Sequence, residues 1–227
     1  MASCATAWPL GESLIDMRGT IPQPCFLSFD GLDGVGKSTQ INLLRDWLAD
    51  QGHDVLLCRD PGSTPLGEQL RNIVLHSSEE TLICQRSEML LYMAARAQLV
   101  EEVIRPALAV GKTVVSDRFL LANVVYQGHA GGLDVDSLWQ VGRVATGGLL
   151  PHLTFLLDMP PDASHTRLQR PLDRIEKRGE AYRELLRKGF LEEAARDAKI
   201  VVIDAAHTVE EVHADVLSKL KANVAGW

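Results

Sequence analysis

Residues Gly31-Leu32-Asp33-Gly34-Val35-Gly36-Lys37-Ser38 have the form GxxxxGK[ST], a loop suited to cradling phosphate. Its glycines permit backbone angles that a side chain forbids, so successive N–H groups can converge on phosphate oxygens. Lys37 has the reach for β- and γ-phosphates, and the Ser38 hydroxyl suits Mg2+. The stretch from Gly31 to Thr39 is thus the expected triphosphate-binding segment, with Asp33 and Lys37 as its charged members.

Three further groups could do chemistry. Arg59-Asp60-Pro61-Gly62-Ser63-Thr64 holds a Pro-Gly turn beside two charges, which suits a ligand edge but also an ordinary charged loop. Arg71 follows at a distance from which it can point back to the same pocket. Asp117-Arg118 closes an apolar run; an acid there often helps hold Mg2+, and the neighbouring arginine can bridge two phosphates. Downstream, Asn123, Tyr126 and Gln127 form a polar and aromatic cluster fit for a base or sugar. The last group is the basic run Arg167, Arg170, Arg174, Lys177 and Arg178, interrupted by Pro171. It reads either as an arginine-rich lid over a nucleotide or as a solvated charged face, and spacing alone does not separate the two.

These residues need a frame. Apolar runs at Cys25–Asp30, Val55–Arg59, Thr113–Asp117, Leu153–Asp158 and Ile200–Asp204 read as strands. Helical patterns lie between them. One follows the glycine loop through Ile41, Leu44 and Leu48. The longest is expected from Thr81 to Val110 with Leu90, Ala94, Ala97, Val100 and Ile104 inward. Others span Val135 to Thr146 and Val209 to Leu220. Alternating strands and helices predict a three-layer α/β fold of the P-loop NTPase type, its five-stranded parallel sheet flanked by helices. Ligands of such sheets bind beyond the carboxyl ends of the strands, where Asp30, Asp117, Asp158 and Asp204 stand. For Asp158 and Asp204 simple strand termination is the expected role.

At 227 residues with 46% apolar and 23% charged content, the chain is long enough for one full core. A net charge of −7 and a pI near 5.5 argue against nucleic acid as partner, though not against a small anion in a local basic pocket. Cys4, Cys25, Cys58 and Cys84 are scattered without a CxxC pair, which suggests reduced thiols in a cytoplasmic protein, three of them buried. No apolar run reaches membrane-spanning length. Residues 1–24, interrupted by Glu12, Asp16 and Arg18, read as a flexible extension before a domain at 25–224, with the lid at about 166–180.

Taken together the motifs resemble the thymidylate kinase family, enzymes that phosphorylate dTMP. The resemblance rests on Phe29 to Ser38, Arg59 to Thr64, Tyr92-Met93-Ala94-Ala95-Arg96-Ala97-Gln98, Asp117-Arg118 with Tyr126-Gln127-Gly128, and Leu172-Asp173-Arg174-Ile175-Glu176. It implies in-line transfer of the ATP γ-phosphate to dTMP, with Mg2+, in a homodimer that binds neither nucleic acid nor membrane. Asp33 would lie near the acceptor sugar and phosphate, Asp60 at the acceptor site, and Arg71 on the acceptor phosphate. Tyr92, where relatives usually have Phe, would stack on thymine. Arg96, Asn123 and Gln127 would face the base, and Tyr126 would crowd the sugar 2′ position. Arg118 would span both phosphates, and Ser38 and Asp117 would serve the metal. Some relatives carry a catalytic arginine where this chain has Gly34. The resemblance is therefore to the bacterial lid-arginine type, with Arg170 first choice, then Arg174 and Arg167. Two rivals compete: a kinase for another acceptor such as dUMP or UMP, and a nucleotide-dependent switch. Against the second, the chain lacks an Asn-Lys-x-Asp guanine-reading motif.

Overall fold

The computed structural model describes residues 24–77, 81–168 and 178–224. Strand β1 (Phe26–Gly31) is buried along its whole length and lies at the centre of the sheet. Beside it run β2 (Val55–Arg59), β3 (Thr113–Asp117), β4 (Leu153–Asp158) and β5 (Ile200–Asp204), in the order β2-β3-β1-β4-β5. Every pairing is parallel. A buried parallel strand meets helices on both faces, which is why these runs are apolar without alternation.

The helices are α1 (Lys37–Asp50), α2 (Pro65–His76), α3 (Gln85–Leu99), α4 (Arg105–Ala109), α5 (Leu120–Asn123), α6 (Val135–Ala145), α7 (Pro161–Thr166), α8 (Glu180–Arg196) and α9 (Val209–Asn223). On one face of the sheet Ile41, Leu44, Phe190, Val216 and Leu220 pack against Leu27, Phe29 and Phe155. On the other, Met93, Leu99, Ile104, Val124 and Leu138 pack against Phe26 and Val114. Four of the five strands run over the ranges that the sequence predicts, and the first is shifted by one residue.

Three expectations need correction. The long helix begins at Gln85 rather than Thr81 and is broken by a π-helical turn, Val100–Ile104. Leu90 on the expected inward face is half-exposed, while Glu88, Met89, Met93, Arg96 and Leu99 are buried. The true face includes a Glu and an Arg whose charges are met by partners from other elements, which an apolar count does not register. Cys84 is exposed, leaving Cys25 and Cys58 as the buried thiols among the described residues.

Candidate active site

At the end of β1 the chain turns through Gly31, where φ is +130° and an added Cβ would fall 2.3 Å from the Leu157 carbonyl oxygen. Leu32 and Val35 anchor the loop in the core, so only their backbone can face a ligand. Gly36, at φ +96°, starts α1, and no side chain caps that terminus. Its first N–H groups are thus aimed at whatever anion enters, aided by the helix dipole. Lys37 bends back to donate to the carbonyls of Leu32 (2.7 Å) and Gly31 (3.2 Å), with Asp33 at 3.7 Å. Burial, and then repulsion from Arg118, pulls its ammonium pKa down. Ser38 and Thr39 are exposed beside it.

The loop after β3 brings Arg118 to the same place. Its backbone lies at φ +67°, a left-handed conformation unusual for an arginine, held by Arg118 N donating to Phe29 O and Ser116 Oγ donating to Arg118 O. The guanidinium donates to Gly31 O at 2.9 Å, Asp33 Oδ1 at 2.7 Å and Tyr126 Oη at 3.3 Å. Burial opposes its charge, yet Tyr126, Asp33 and Asp30 around it hold its proton more firmly. Asp30 lies under this group with both carboxylate oxygens buried and without a hydrogen bond. Burial raises its carboxyl to about 7, against the pull of Arg118 and Lys37. Asp117 likewise has one buried oxygen, Oδ1, without a partner.

Two adjoining clefts open here. One, of about 400 Å3, is walled by Gly34, Gly36, Lys37, Ser38, Thr39 and Asp117. The other is smaller and is lined by Tyr92, Arg96, Asn123, Tyr126 and Gln127. Asp33, Asp60, Arg71 and Arg118 line both. Asp60 comes from the loop after β2, and its Oδ2 accepts from Arg96 Nε at 2.5 Å, the pair being almost fully buried. Burial pushes the Asp60 carboxyl up, and Arg96 acts against it. Arg71, on α2, donates to Pro61 O at 3.0 Å. Arg59 lines the larger cleft and donates to Glu68 Oε1 at 3.0 Å. Asn123, Tyr126 and Gln127 stand on the end of α5 and on a π-helical turn, Val124–His129, whose wider spacing brings all three to one cleft.

The clefts thus join a phosphate-binding loop to an aromatic and amide-lined pocket, with two arginines, Arg71 and Arg118, reaching into both. The family model described as thymidylate kinase matches residues 29–216. The chain belongs to the thymidylate kinase family. Its similarity to the family's curated thymidylate kinases covers most of its length. With that of Rhodopirellula baltica it is 48% identical over 82% of this chain and 76% of the other. With that of Symbiobacterium thermophilum it is 45% identical over 84% and 90%. The crystal structure of the thymidylate kinase from Ehrlichia chaffeensis, 28% identical, superposes with a TM-score of 0.69 over 88% of this chain and all of that one.

Of the residues expected at the site, Gly31 to Thr39, Asp60, Arg71, Tyr92, Arg96, Asp117, Arg118, Asn123, Tyr126 and Gln127 come to these clefts or form their walls. Arg170 and Arg174 lie outside the described residues. Arg167 is exposed just past α7, and Arg178 pairs with the buried Glu88. The residue that the sequence reading missed is Glu88. Its signal was its spacing, one and two helical turns before Tyr92 and Arg96, on the face that turns to the pocket.

Proposed function

We propose that this protein is a thymidylate kinase, transferring the γ-phosphate of ATP to dTMP to give dTDP and ADP. The observation that carries the reading is the sharing of Arg118 and Asp33 by the loop cleft and the amide-lined pocket. A group that reaches both can align a donor and an acceptor phosphate. The acceptor oxygen is already nucleophilic at neutral pH, so no strong base is required. As its bond to the γ-phosphorus forms, the bond to the β–γ bridging oxygen breaks and its electron pair leaves with ADP. Catalysis then rests on alignment and charge neutralisation. Lys37 and the loop N–H groups take the donor, and Arg71 and Arg118 the acceptor phosphate. Tyr92 stacks on the base, Arg96, Asn123 and Gln127 read it, and Tyr126 closes over the sugar. Lid arginines Arg170 and Arg174 supply the remaining positive charge.

Among the described residues no cluster of three His, Cys, Asp or Glu side chains forms a metal cage. Mg2+ commonly takes one or two protein oxygens together with phosphates and waters. The Ser38 hydroxyl and the unpartnered oxygen of Asp117 fit that need. The metal would neutralise developing charge on the phosphates; these two residues would hold it at the mouth of the loop. We place the enzyme in the cytoplasm as a homodimer. No described helix is long and apolar enough to cross a membrane.

The experiment is a coupled ADP-release assay with dTMP, dUMP, UMP, dCMP and dGMP. Turnover strongest with dTMP is expected. Equal rates across the panel would remove the thymine pocket, and ADP release that ignores every acceptor would favour a slow triphosphatase switch.

A further inference from the structure

Glu88 is 1% exposed, on the face of α3 that also carries Arg96. A carboxylate so deep needs donors. Gln127 Nε2 donates to it at 2.9 Å, and Arg178 Nη2 at 3.3 and 3.4 Å. The hydrogen bonds continue beyond Gln127. Asn123 Nδ2 donates to Gln127 Oε1 at 2.6 Å, and Arg96 Nη1 donates to Asn123 Oδ1 at 3.0 Å. Two neutral amides therefore lie in series between a guanidinium and a carboxylate.

The ends dictate the middle. A guanidinium has only donors, so Asn123 must turn its oxygen to Arg96. An ionised carboxylate has only acceptors, so Gln127 must turn its nitrogen to Glu88. The Asn123 nitrogen is then left for the Gln127 oxygen. The relay has one self-consistent polarity, and reversing either amide breaks a charge-assisted bond. Asn123, Gln127 and Arg96 all line the smaller cleft. What the two amides can still offer a ligand depends on which way each is turned. At ring position 4 thymine carries an accepting oxygen where cytosine carries a donating amine.

We infer that Glu88 is a specificity-determining positioning residue: by fixing Gln127, and Asn123 through it, it sets the hydrogen-bond pattern shown to the pyrimidine. Arg178 supplies countercharge from the far side, its guanidinium 4.9 Å from the Tyr182 ring and donating to Tyr182 Oη at 3.0 Å. The inference rests on the dTMP-kinase reading.

The test compares wild type and Glu88→Gln in steady-state kinetics with dTMP and dCMP, alongside thermal unfolding. Glutamine keeps the shape but offers both oxygen and nitrogen, so the relay loses its fixed end. The preference for dTMP over dCMP in kcat/KM is expected to fall at least about 10-fold, chiefly through the KM of dTMP, with the KM of ATP kept within about twofold. Adding Arg178→Met to Glu88→Gln should cost little further selectivity, because both act through one contact. A folded Glu88→Gln protein with an unchanged ratio overturns the inference and leaves the dTMP reading standing, as does an equal loss for both nucleotides. If the wild type itself does not turn over dTMP, the functional reading falls first. Should Glu88→Gln fail to fold, Glu88→Asp keeps the charge but draws it back; a reduced ratio supports the inference and an unchanged one overturns it.

Discussion

Arg118 Nη2 lies 2.7 Å from Asp33 Oδ1, an ion pair that ties the end of β3 to the phosphate loop. Asp33 also faces Lys37 at 3.7 Å, so one carboxylate orients two cations from different elements. Both cations meanwhile donate to the Gly31 carbonyl. The site's positive charge is thus aimed by partners within the protein itself, and preorganised charge of this kind needs little rearrangement during reaction.

Arg118→Ala is therefore expected to cut kcat by about 10²–10³. The fold should survive, because the backbone at residue 118 is already left-handed and the hydrogen bonds that hold it there come from Phe29 O and Ser116 Oγ rather than from the guanidinium. Stopped-time ADP release together with circular dichroism checks both halves. Near-normal turnover by the folded variant would sink the assignment.

Gly34 shows why the catalytic arginine of some relatives has no place in this loop. Its φ is +85°, and a Cβ there would fall 2.1 Å from the Ser164 carbonyl oxygen, within α7. Gly36, at φ +96°, has nothing within 4 Å of its added Cβ. Gly34→Ala should thus lower the melting temperature more than Gly36→Ala, by several degrees for a cost of about 2 kcal/mol or more. Gly34→Arg should lose stability without gaining turnover. Equal melting temperatures for the two alanine variants would contradict the clash.

Much of this was readable in the chain, for physical reasons that differ by residue. The strands were legible because a parallel strand covered on both faces becomes an unbroken apolar run. The loop was legible because backbone angles such as those at Gly31 and Gly36 demand glycine. The inward face of α3 was misread, because Glu88 and Arg96 are buried with partners that lie 39 and 36 residues away in sequence, Gln127 and Asp60 respectively. The two π-helical turns left no mark in spacing: their register is set by packing, not by residue type. No pattern search could foresee that Asp30 would end buried without a hydrogen bond.

The Asp60–Arg96 pair should behave as a buried pair does. Removing one partner leaves the other's charge without compensation. Arg96→Met is expected to destabilise the fold by about 3–5 kcal/mol, and Arg96→Met with Asp60→Asn to recover part of that loss. Urea denaturation of the two single variants and the double variant measures the coupling. Strict additivity would show that the 2.5 Å contact carries no energy of its own.

Asp30 gives a prediction with a sign. In the unfolded chain an aspartate ionises near 3.9. In the fold, burial first of all, and the nearby carboxylates of Asp117 and Asp60 next, raise Asp30 to about 7 against Arg118 and Lys37. Between these values the folded protein binds the extra proton, so stability falls as pH rises. The neutral form's advantage is whole below about pH 4 and is lost by about pH 7, a cost on the order of 4 kcal/mol. Asp30→Asn removes that titration while keeping the shape. Its melting temperature should match the wild type at pH 4, exceed it increasingly up to pH 7 by a margin on the order of 10 °C, and stay higher by a constant amount above that. Above about pH 7, where the wild-type group is ionised, the variant's activity should fall below that of the wild type, since the carboxylate beneath Lys37 and Arg118 is gone. A melting-temperature difference that does not change with pH, or a variant less stable than wild type at pH 8, would show that the buried carboxyl is not under this strain and that Arg118, 3.9 Å away, compensates it fully.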